Sequence, residues 1–247
     1  MHATLGGDLR KCRAPSRIGA KQPAPIASRM RIVPALLLLC LPFAARALCT
    51  SDGTAAPAAV LERFVSADCG DCWQDPATPD AANGTLAIDW VLPGRRGDDA
   101  PLSVVALDEA AERLKVLGRQ PPTRSDAVFG RRAGEPLPVR LAQGEVFNDY
   151  IGTSIELHRP GREPWHAWLL LVESLPAGTE GSPVARNLVR NVFRPDWHRV
   201  GERRARLAES RSMQIHEGTK PERLRLVALV QDARGRIRAI VQTACRP

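Results

Sequence analysis

The spacing of apolar residues after residue 48 predicts several strands and one helix in the first part of the chain. Ala110, Leu114 and Leu117 share one helical face, so a helix should run from Asp108, as its N-cap, to Leu117. Apolar runs bounded by Gly, Pro or Asp predict strands at 60–65, 85–91, 102–106 and 125–129. Strands that alternate with helices predict a mixed or parallel sheet with helical cover.

The chain after residue 138 is dominated by strand patterns. Residues 232–235 supply turn residues between two β-rich runs, which favours a hairpin there. A short Arg-rich helix is predicted at 201–211. Strands are predicted at 139–142, 150–158, 167–172, 187–193, 213–216, 223–230 and 237–243. Many short strands with Gly and Pro connections indicate an antiparallel sandwich.

The first 47 residues have the pattern of an export signal. Arg29 and Arg31 precede an apolar run at 32–45, and Ala45-Arg46-Ala47 places small residues where signal peptidase reads them. A retained membrane anchor is the alternative, but the run is shorter than the roughly 20 residues that a spanning helix needs. We therefore expect a mature chain from residue 48, without a stable membrane anchor, that is periplasmic or secreted.

Removal of this segment changes the charge balance. The whole chain has 35 Lys and Arg against 27 Asp and Glu, whereas the mature part has 27 against 26. The basic excess therefore belongs mostly to the export segment. A nucleic-acid partner loses its support from composition.

Four cysteines remain in the mature chain, and an even number in an exported protein favours disulfides. Four thiols allow three pairings. Their spacing favours Cys69 with Cys72 and, by elimination, Cys49 with Cys245 as a structural disulfide. In the loop-entropy model, the second bond would stabilise the fold by roughly 5 kcal/mol. A zinc site of four thiolates is the remaining possibility, and an oxidising compartment disfavours it.

A break in composition at 131–138 predicts two domains, 48–134 and 135–247. The order of elements before the break is compatible with a thioredoxin-like domain. The predicted fold class is α+β, with a thioredoxin-like α/β domain followed by an antiparallel β-sandwich domain.

Three stretches carry a resemblance to a known family: 61–66 leading into Cys69-Gly70-Asp71-Cys72, then 187–193, then 226–232. In these stretches the chain resembles exported bacterial thioredoxin-like proteins of unknown function, which join a CxxC domain to a C-terminal β-rich part. The resemblance implies that Cys69 is the attacking thiol and that Cys72 resolves the mixed disulfide. It thus implies a thiol-disulfide oxidoreductase whose partners are protein thiols or disulfides.

The alternative is a non-enzymatic envelope protein with structural disulfides and a partner-binding β-sandwich. Asp68 and Asp71 favour it, because neighbouring negative charge raises the pKa of a thiol and leaves less thiolate to attack. No cofactor is predicted. The histidines at 158, 166, 198 and 216 show no metal-binding spacing. Arg186, Arg190 and Arg194 form either an anion-binding stripe or, more simply, a solvated face.

Overall fold

The computed structural model describes residues 49–161, 164–197 and 206–245, and the predicted export segment lies outside these ranges. Within them the chain is mostly strand, with one α-helix, α1 (Asp108–Val116). The strands are β1 (Cys49–Thr50), β2 (Ala59–Ser66), β3 (Thr85–Leu92), β4 (Ser125–Arg131), β5 (Val139–Phe147), β6 (Tyr150–His158), β7 (Trp165–Leu175), β8 (Arg186–Phe193), β9 (Arg206–Gln214), β10 (Leu224–Asp232), β11 (Ile237–Gln242) and β12 (Ala244–Cys245). Short 3-10 helices lie at Gly70–Trp73, Gly97–Asp99, Ser103–Val105, Thr179–Gly181 and Pro221–Arg223.

Seven strands form the larger sheet, in the order β11-β10-β7-β8-β3-β2-β4. The neighbours β2 and β3 run parallel, and β8 is parallel to β3, while the other pairs are antiparallel. All eight residues of β2 are buried. A strand that is covered on both faces is expected to be a nearly continuous apolar run. This explains why β2 could be predicted as a strand from the sequence.

The predicted fold class is wrong. Strands from both sides of residue 134 share the seven-stranded sheet, so no thioredoxin-like α/β domain precedes a separate sandwich. The connection from β2 to β3, residues 67–84, contains only the 3-10 helix Gly70–Trp73 and no α-helix. Parallel strands need a long crossover that is usually helical, but the apolar pattern of the strands is the same whichever kind of crossover joins them.

The smaller sheet is antiparallel, with the order β12-β1-β5-β6-β9. One face of it packs on β7 and β10 of the larger sheet. Leu141 and Ile155 belong to the same buried cluster as Leu169 and Leu226. Residues 49–161, 164–197 and 206–245 are therefore rich in β-sheet and contain two packed sheets.

The two faces of the larger sheet around β2 and β3 are covered differently. On the face that we name the helix face, Phe64 and Ile88 pack against Ala110 and Leu114 of α1. The opposite face, named the crossover face, is covered by residues 67–84 and 93–106, which contain no α-helix. Trp73 packs there on the sheet.

Most predicted elements are confirmed within a few residues at their ends, including the β10–β11 hairpin, whose turn contains Gly235 at φ +75°. Only residues 213–214 of the strand predicted at 213–216 lie in a strand, at the end of β9. Three other predictions are wrong. Residues 103–105 form a 3-10 helix, not a strand, and residues 206–211 belong to β9, not to a helix. Residues 201–205 of that predicted helix lie outside the described residues. The N-cap of α1 is the extended Leu107, so Asp108 is already inside the helix.

Candidate functional site

The cysteine pair lies directly after the carboxyl end of β2. Cys69 and Cys72 form a disulfide with a Cα–Cα distance of 5.4 Å. The backbone N–H of Cys69 donates to the carbonyl of Ser66, and that of Cys72 donates to the carbonyl of Cys69. A tight turn at the start of the crossover therefore brings the two cysteines together.

Both cysteines are buried. Cys69 is 9% exposed and Cys72 is 2% exposed, and they pack with Val65 and Leu102. A sulfur must be reached by a partner thiolate for exchange to occur. Burial of both sulfurs opposes such an attack on the folded protein.

The charges around the pair do not favour a thiolate. The backbone N–H groups of Arg95 and Arg96 donate to the Asp68 carboxylate at 2.8 and 3.1 Å, and they hold its pKa below the ordinary value. Asp71 lies in the first turn of the 3-10 helix, which is only four residues long. So short a helix has a small dipole and stabilises a thiolate little. Asp68, which is ionised and one residue from Cys69, disfavours a second negative charge there.

Trp73 follows the pair and anchors the turn to the rest of the protein. It is 5% exposed, its indole Nε1–H donates to the carbonyl of Thr179, and the Arg186 guanidinium lies 4.2 Å from its ring centroid. Because both its polar atom and its ring have partners, Trp73 is packed between the crossover and the loop after β7.

Asp89 lies at the centre of a buried cluster on the crossover face. Arg63 Nη2 and Arg186 Nη1 each donate to its carboxylate at 2.9 Å, and so does the backbone N–H of Asn187. All three charged side chains are at most 3% exposed. Burial lowers the pKa of the Arg186 guanidinium, and the nearby Arg63 lowers it further, whereas Asp89 opposes this shift.

The same two arginines hold the crossover in place. Arg186 Nη2 donates to the carbonyl of Trp73 at 2.8 Å, and Arg63 Nη1 donates to the carbonyl of Pro79 at 3.0 Å. Arg63 also donates to the carbonyl of Ala185. The cluster therefore donates hydrogen bonds to backbone carbonyls of the crossover and of the residue before β8, all of which lie outside the strands.

Two clefts flank the turn. The first, named the disulfide cleft, has a volume of about 330 Å³ and is lined by Cys72, Arg63 and Arg186, with Asp75 and Asp126 also in its wall. Two cations are thus matched by two carboxylates. The cleft reaches Cys72, the cysteine that the resemblance makes the resolving thiol.

The second cleft, named the β7–β8 cleft, has a volume of about 260 Å³ and lies on the other side of Trp73. Its floor contains Glu173 of β7 and Arg190 of β8, which form an ion pair at 2.5 Å. Lys220 and Arg223, from the connection between β9 and β10, stand at its edge. Sequence reasoning missed this cleft, because three distant segments form it.

The predicted arginine stripe does not exist. Arg186 pairs with Asp89, Arg190 with Glu173, and Arg194 with Glu112. The alternative of a solvated face is also wrong for Arg186 and Arg190, which are largely buried. The register between β7 and β8 shifts at Leu171 and Val172, so Arg190 is the extra residue of a β-bulge, and the stripe loses its regular spacing.

The remaining cysteines join the ends of the described chain. Cys49 of β1 pairs with Cys245 of β12, and a disulfide links them at a Cα–Cα distance of 4.0 Å. Among the described residues no three His, Cys, Asp or Glu side chains are grouped to hold a metal ion. His158 lies 3.4 Å from Glu156, and His198 is outside the described residues.

A second buried network on the helix face was also missed. Arg113 donates to both carboxylate oxygens of Glu62 at 2.8 and 2.6 Å and to Gln231 at 2.8 Å, and Trp90 donates to Glu62. The available signal was the charged pair Glu62-Arg63 within an otherwise apolar strand, together with Asp89 in the next strand. Charged residues are seldom fully buried unless they are paired.

Comparison with known proteins adds no family to this description. No protein-family model, no curated protein and no solved structure matches the chain. In the part of the chain that the structure describes, no helix has both the length and the apolar character needed to cross a membrane.

Proposed function

We propose that the chain is a non-enzymatic binding protein of an oxidising compartment, in which the Cys69–Cys72 disulfide is a structural crosslink. The observation that carries the proposal is the burial of both cysteines, at 9% and 2% exposure, beside the ionised Asp68. The two disulfides support the compartment, because such bonds persist where thiols are not kept reduced. The export signal expected in residues 1–47 is consistent with the same location.

The crosslink fixes the turn that separates the two clefts. Cys72 lines the disulfide cleft and Trp73, the next residue, lines the β7–β8 cleft. Fixing this turn preorganises the wall of each cleft, and a preorganised site loses less conformational entropy when a ligand binds. The disulfide thus supports binding without exchanging electrons.

One observation favours thiol-disulfide exchange as a second candidate function: Cys72 lines an open cleft. In that reaction a partner thiolate would attack Cys72 Sγ, and Cys69 would leave as a thiolate. A second partner thiol would then break the mixed disulfide. The partner dithiol would be oxidised to a disulfide, and the two cysteines would take up the electron pair and end as two thiols. Protein thiols or disulfides would be the partners.

An exchange assay separates these two functions. The mature oxidised protein is incubated with a reduced dithiol peptide, and the reduced protein with the oxidised peptide. The Cys69→Ala/Cys72→Ala variant serves as the control. We expect the parent to oxidise and reduce the peptide no faster than the control does. A parent rate clearly above that of the control, in either direction, would establish the second function.

A further inference from the structure

The floor of the β7–β8 cleft is built from a bulged arginine. Arg190 is the extra residue of the bulge in β8, and its side chain is 11% exposed. Bulges re-aim side chains and are common beside functional sites. Here the bulge places a cation at the base of an open cavity.

Arg190 retains hydrogen-bonding capacity after it has paired. Its Nε and Nη2 both donate to Glu173 Oε2, at 2.8 and 2.5 Å, and Glu173 Oε1 accepts the backbone N–H of Lys220 at 3.1 Å. Arg190 Nη1 donates to no group among the described residues. Both carboxylate oxygens of Glu173 are therefore occupied, whereas Nη1 of Arg190 remains available as a hydrogen-bond donor.

The edge of the cleft adds two more cations. Lys220 is exposed and Arg223 is half-buried, and neither side chain has an ion-pair partner within the described ranges. With Glu173 and Glu180 as the carboxylates in the lining, three cations face two anions. The cleft therefore complements a ligand with a negative charge.

An apolar wall completes the cleft. Leu188, which pairs with Glu173 across the sheet, and Leu175 form part of it, and Leu102 and Val105 continue it along the crossover. Val104 stands at its edge and is 81% exposed, a position where valine has no packing role in the protein alone. A ligand that covered this wall would remove its apolar surface from water.

We propose that the β7–β8 cleft binds a carboxylate carried on an apolar body, with the carboxylate at Arg190 Nη1 and Lys220 and the apolar part against Leu102, Val104 and Leu188. This inference names the ligand class for the binding role proposed above, and it rests on that role. The volume of about 260 Å³ suits a short acyl chain or the last residues of a peptide. Hydrogen bonds between a guanidinium and a carboxylate are shorter and stronger than neutral ones.

Titration of the ¹⁵N-labelled mature protein with octanoate tests the ligand class. We expect saturable shifts of the backbone amide signals of Arg190, Lys220 and Val104. The neutral control, 1-octanol, should bind at least tenfold more weakly. Absence of saturable octanoate binding, together with absence of peptide binding in the arm below, would overturn the inference, and so would equal binding of octanol.

Two peptides distinguish the source of the carboxylate. Acetyl-Ala-Val-Leu with a free carboxyl terminus presents the same chemistry as octanoate, and its C-terminal amide lacks the charge. Tighter binding of the peptide acid than of octanoate identifies a peptide terminus as the ligand. The reverse order identifies a free amphipathic acid, and equal binding of the peptide acid and its amide contradicts recognition of the carboxylate.

Substitutions at exposed positions localise the site without disturbing the core. Val104→Asp should weaken octanoate binding at least tenfold, whereas Val116→Asp, the same change at an exposed valine of α1, should leave it unchanged. Lys220→Gln should weaken binding severalfold, with Arg234→Gln in the β10–β11 turn as its control. Equal effects of test and control variants would contradict the site. These results are independent of the exchange assay, so an inert disulfide with no octanoate or peptide binding would refute the ligand class alone.

Discussion

The helix face and the crossover face of the larger sheet both bury charged side chains, but they do so differently. On the helix face one arginine, Arg113, pairs with one carboxylate, Glu62, beneath α1. On the crossover face two arginines share Asp89, and both also donate to carbonyls of the crossover. The first network has one cation and one anion and lines neither cleft. The second network lies between the two clefts.

The difference follows from what covers each face. A helix satisfies its own backbone groups except at its ends, so the side chains beneath it need only satisfy one another. An irregular crossover leaves carbonyls without partners, and the sheet must supply donors to them. The crossover face therefore needs extra arginines. It can also present concave surfaces that a helix would fill.

The largest expected effect is on the crossover face. Asp89→Ala leaves Arg63 and Arg186 buried together without an anion, so we expect a loss of about 4–5 kcal/mol in the free energy of unfolding. Urea denaturation of the protein without the predicted export segment, residues 48–247, measures it. A loss below about 1 kcal/mol would show that the carbonyl partners alone support both cations.

A smaller effect is expected on the helix face. Arg113→Met leaves Glu62 buried and unpaired and should cost about 3–4 kcal/mol. Adding Glu62→Leu should recover most of that loss, because an apolar pair of similar volume can replace a buried ion pair. The same denaturation experiment measures both variants. Failure of the second substitution to rescue would remove the contrast between the two faces.

The loop that carries Asp68's partners should tolerate little added volume. A Cβ at Gly94 would meet the Asp68 carboxylate and its backbone nitrogen, so Gly94→Ala should cost about 1–3 kcal/mol through overpacking. Gly152→Ala is the matched control, since a Cβ there meets nothing within 4 Å. Thermal unfolding of the two variants compares them. Equal melting temperatures would contradict the close approach.

The smallest effect concerns the charge of Asp68. Its pKa in the folded protein lies below its unfolded value of about 3.9, so its contribution to stability is present above that pH and is lost as the pH falls through the folded pKa. The free energy of unfolding of the parent should exceed that of Asp68→Asn by a constant amount above about pH 5, and the gap should close below about pH 4. Denaturation at a series of pH values measures the gap. A gap that persists at low pH would show that the charge plays no part.

The local pattern of this sequence predicts strands well and their arrangement poorly. The runs at 60–65 and 85–91 could be predicted as strands, because strands that are buried on both faces consist mainly of apolar residues. The joining of β8 to β3 rests on a single parallel bridge, Asp89 with Leu188, between residues 99 positions apart. The periodicity of the local sequence does not indicate a contact between residues so far apart in the chain. The order of elements before the composition break at 131–138 therefore suggested a thioredoxin-like α/β domain that the fold does not contain.

The candidate site shows the same limit. The spacing of Cys69 and Cys72 favoured the disulfide that the structure contains, because that contact is local. Arg190 and Glu173 were not recognised as partners, since the bulge that brings them together depends on the pairing of β7 with β8. Charged residues inside apolar runs, such as Arg63 and Asp89, were the one signal of buried clusters.

The reduction potential of the Cys69–Cys72 disulfide distinguishes a structural crosslink from a redox centre. Residues 48–247 are equilibrated with a series of glutathione buffers, the thiols are alkylated, and the peptide containing residues 69–72 is quantified by mass spectrometry. This readout separates the pair from Cys49–Cys245 without any substitution. We expect a potential below about −300 mV, or a pair that stays oxidised throughout. A potential between roughly −120 and −270 mV would place the pair among working oxidoreductases and contradict a purely structural role.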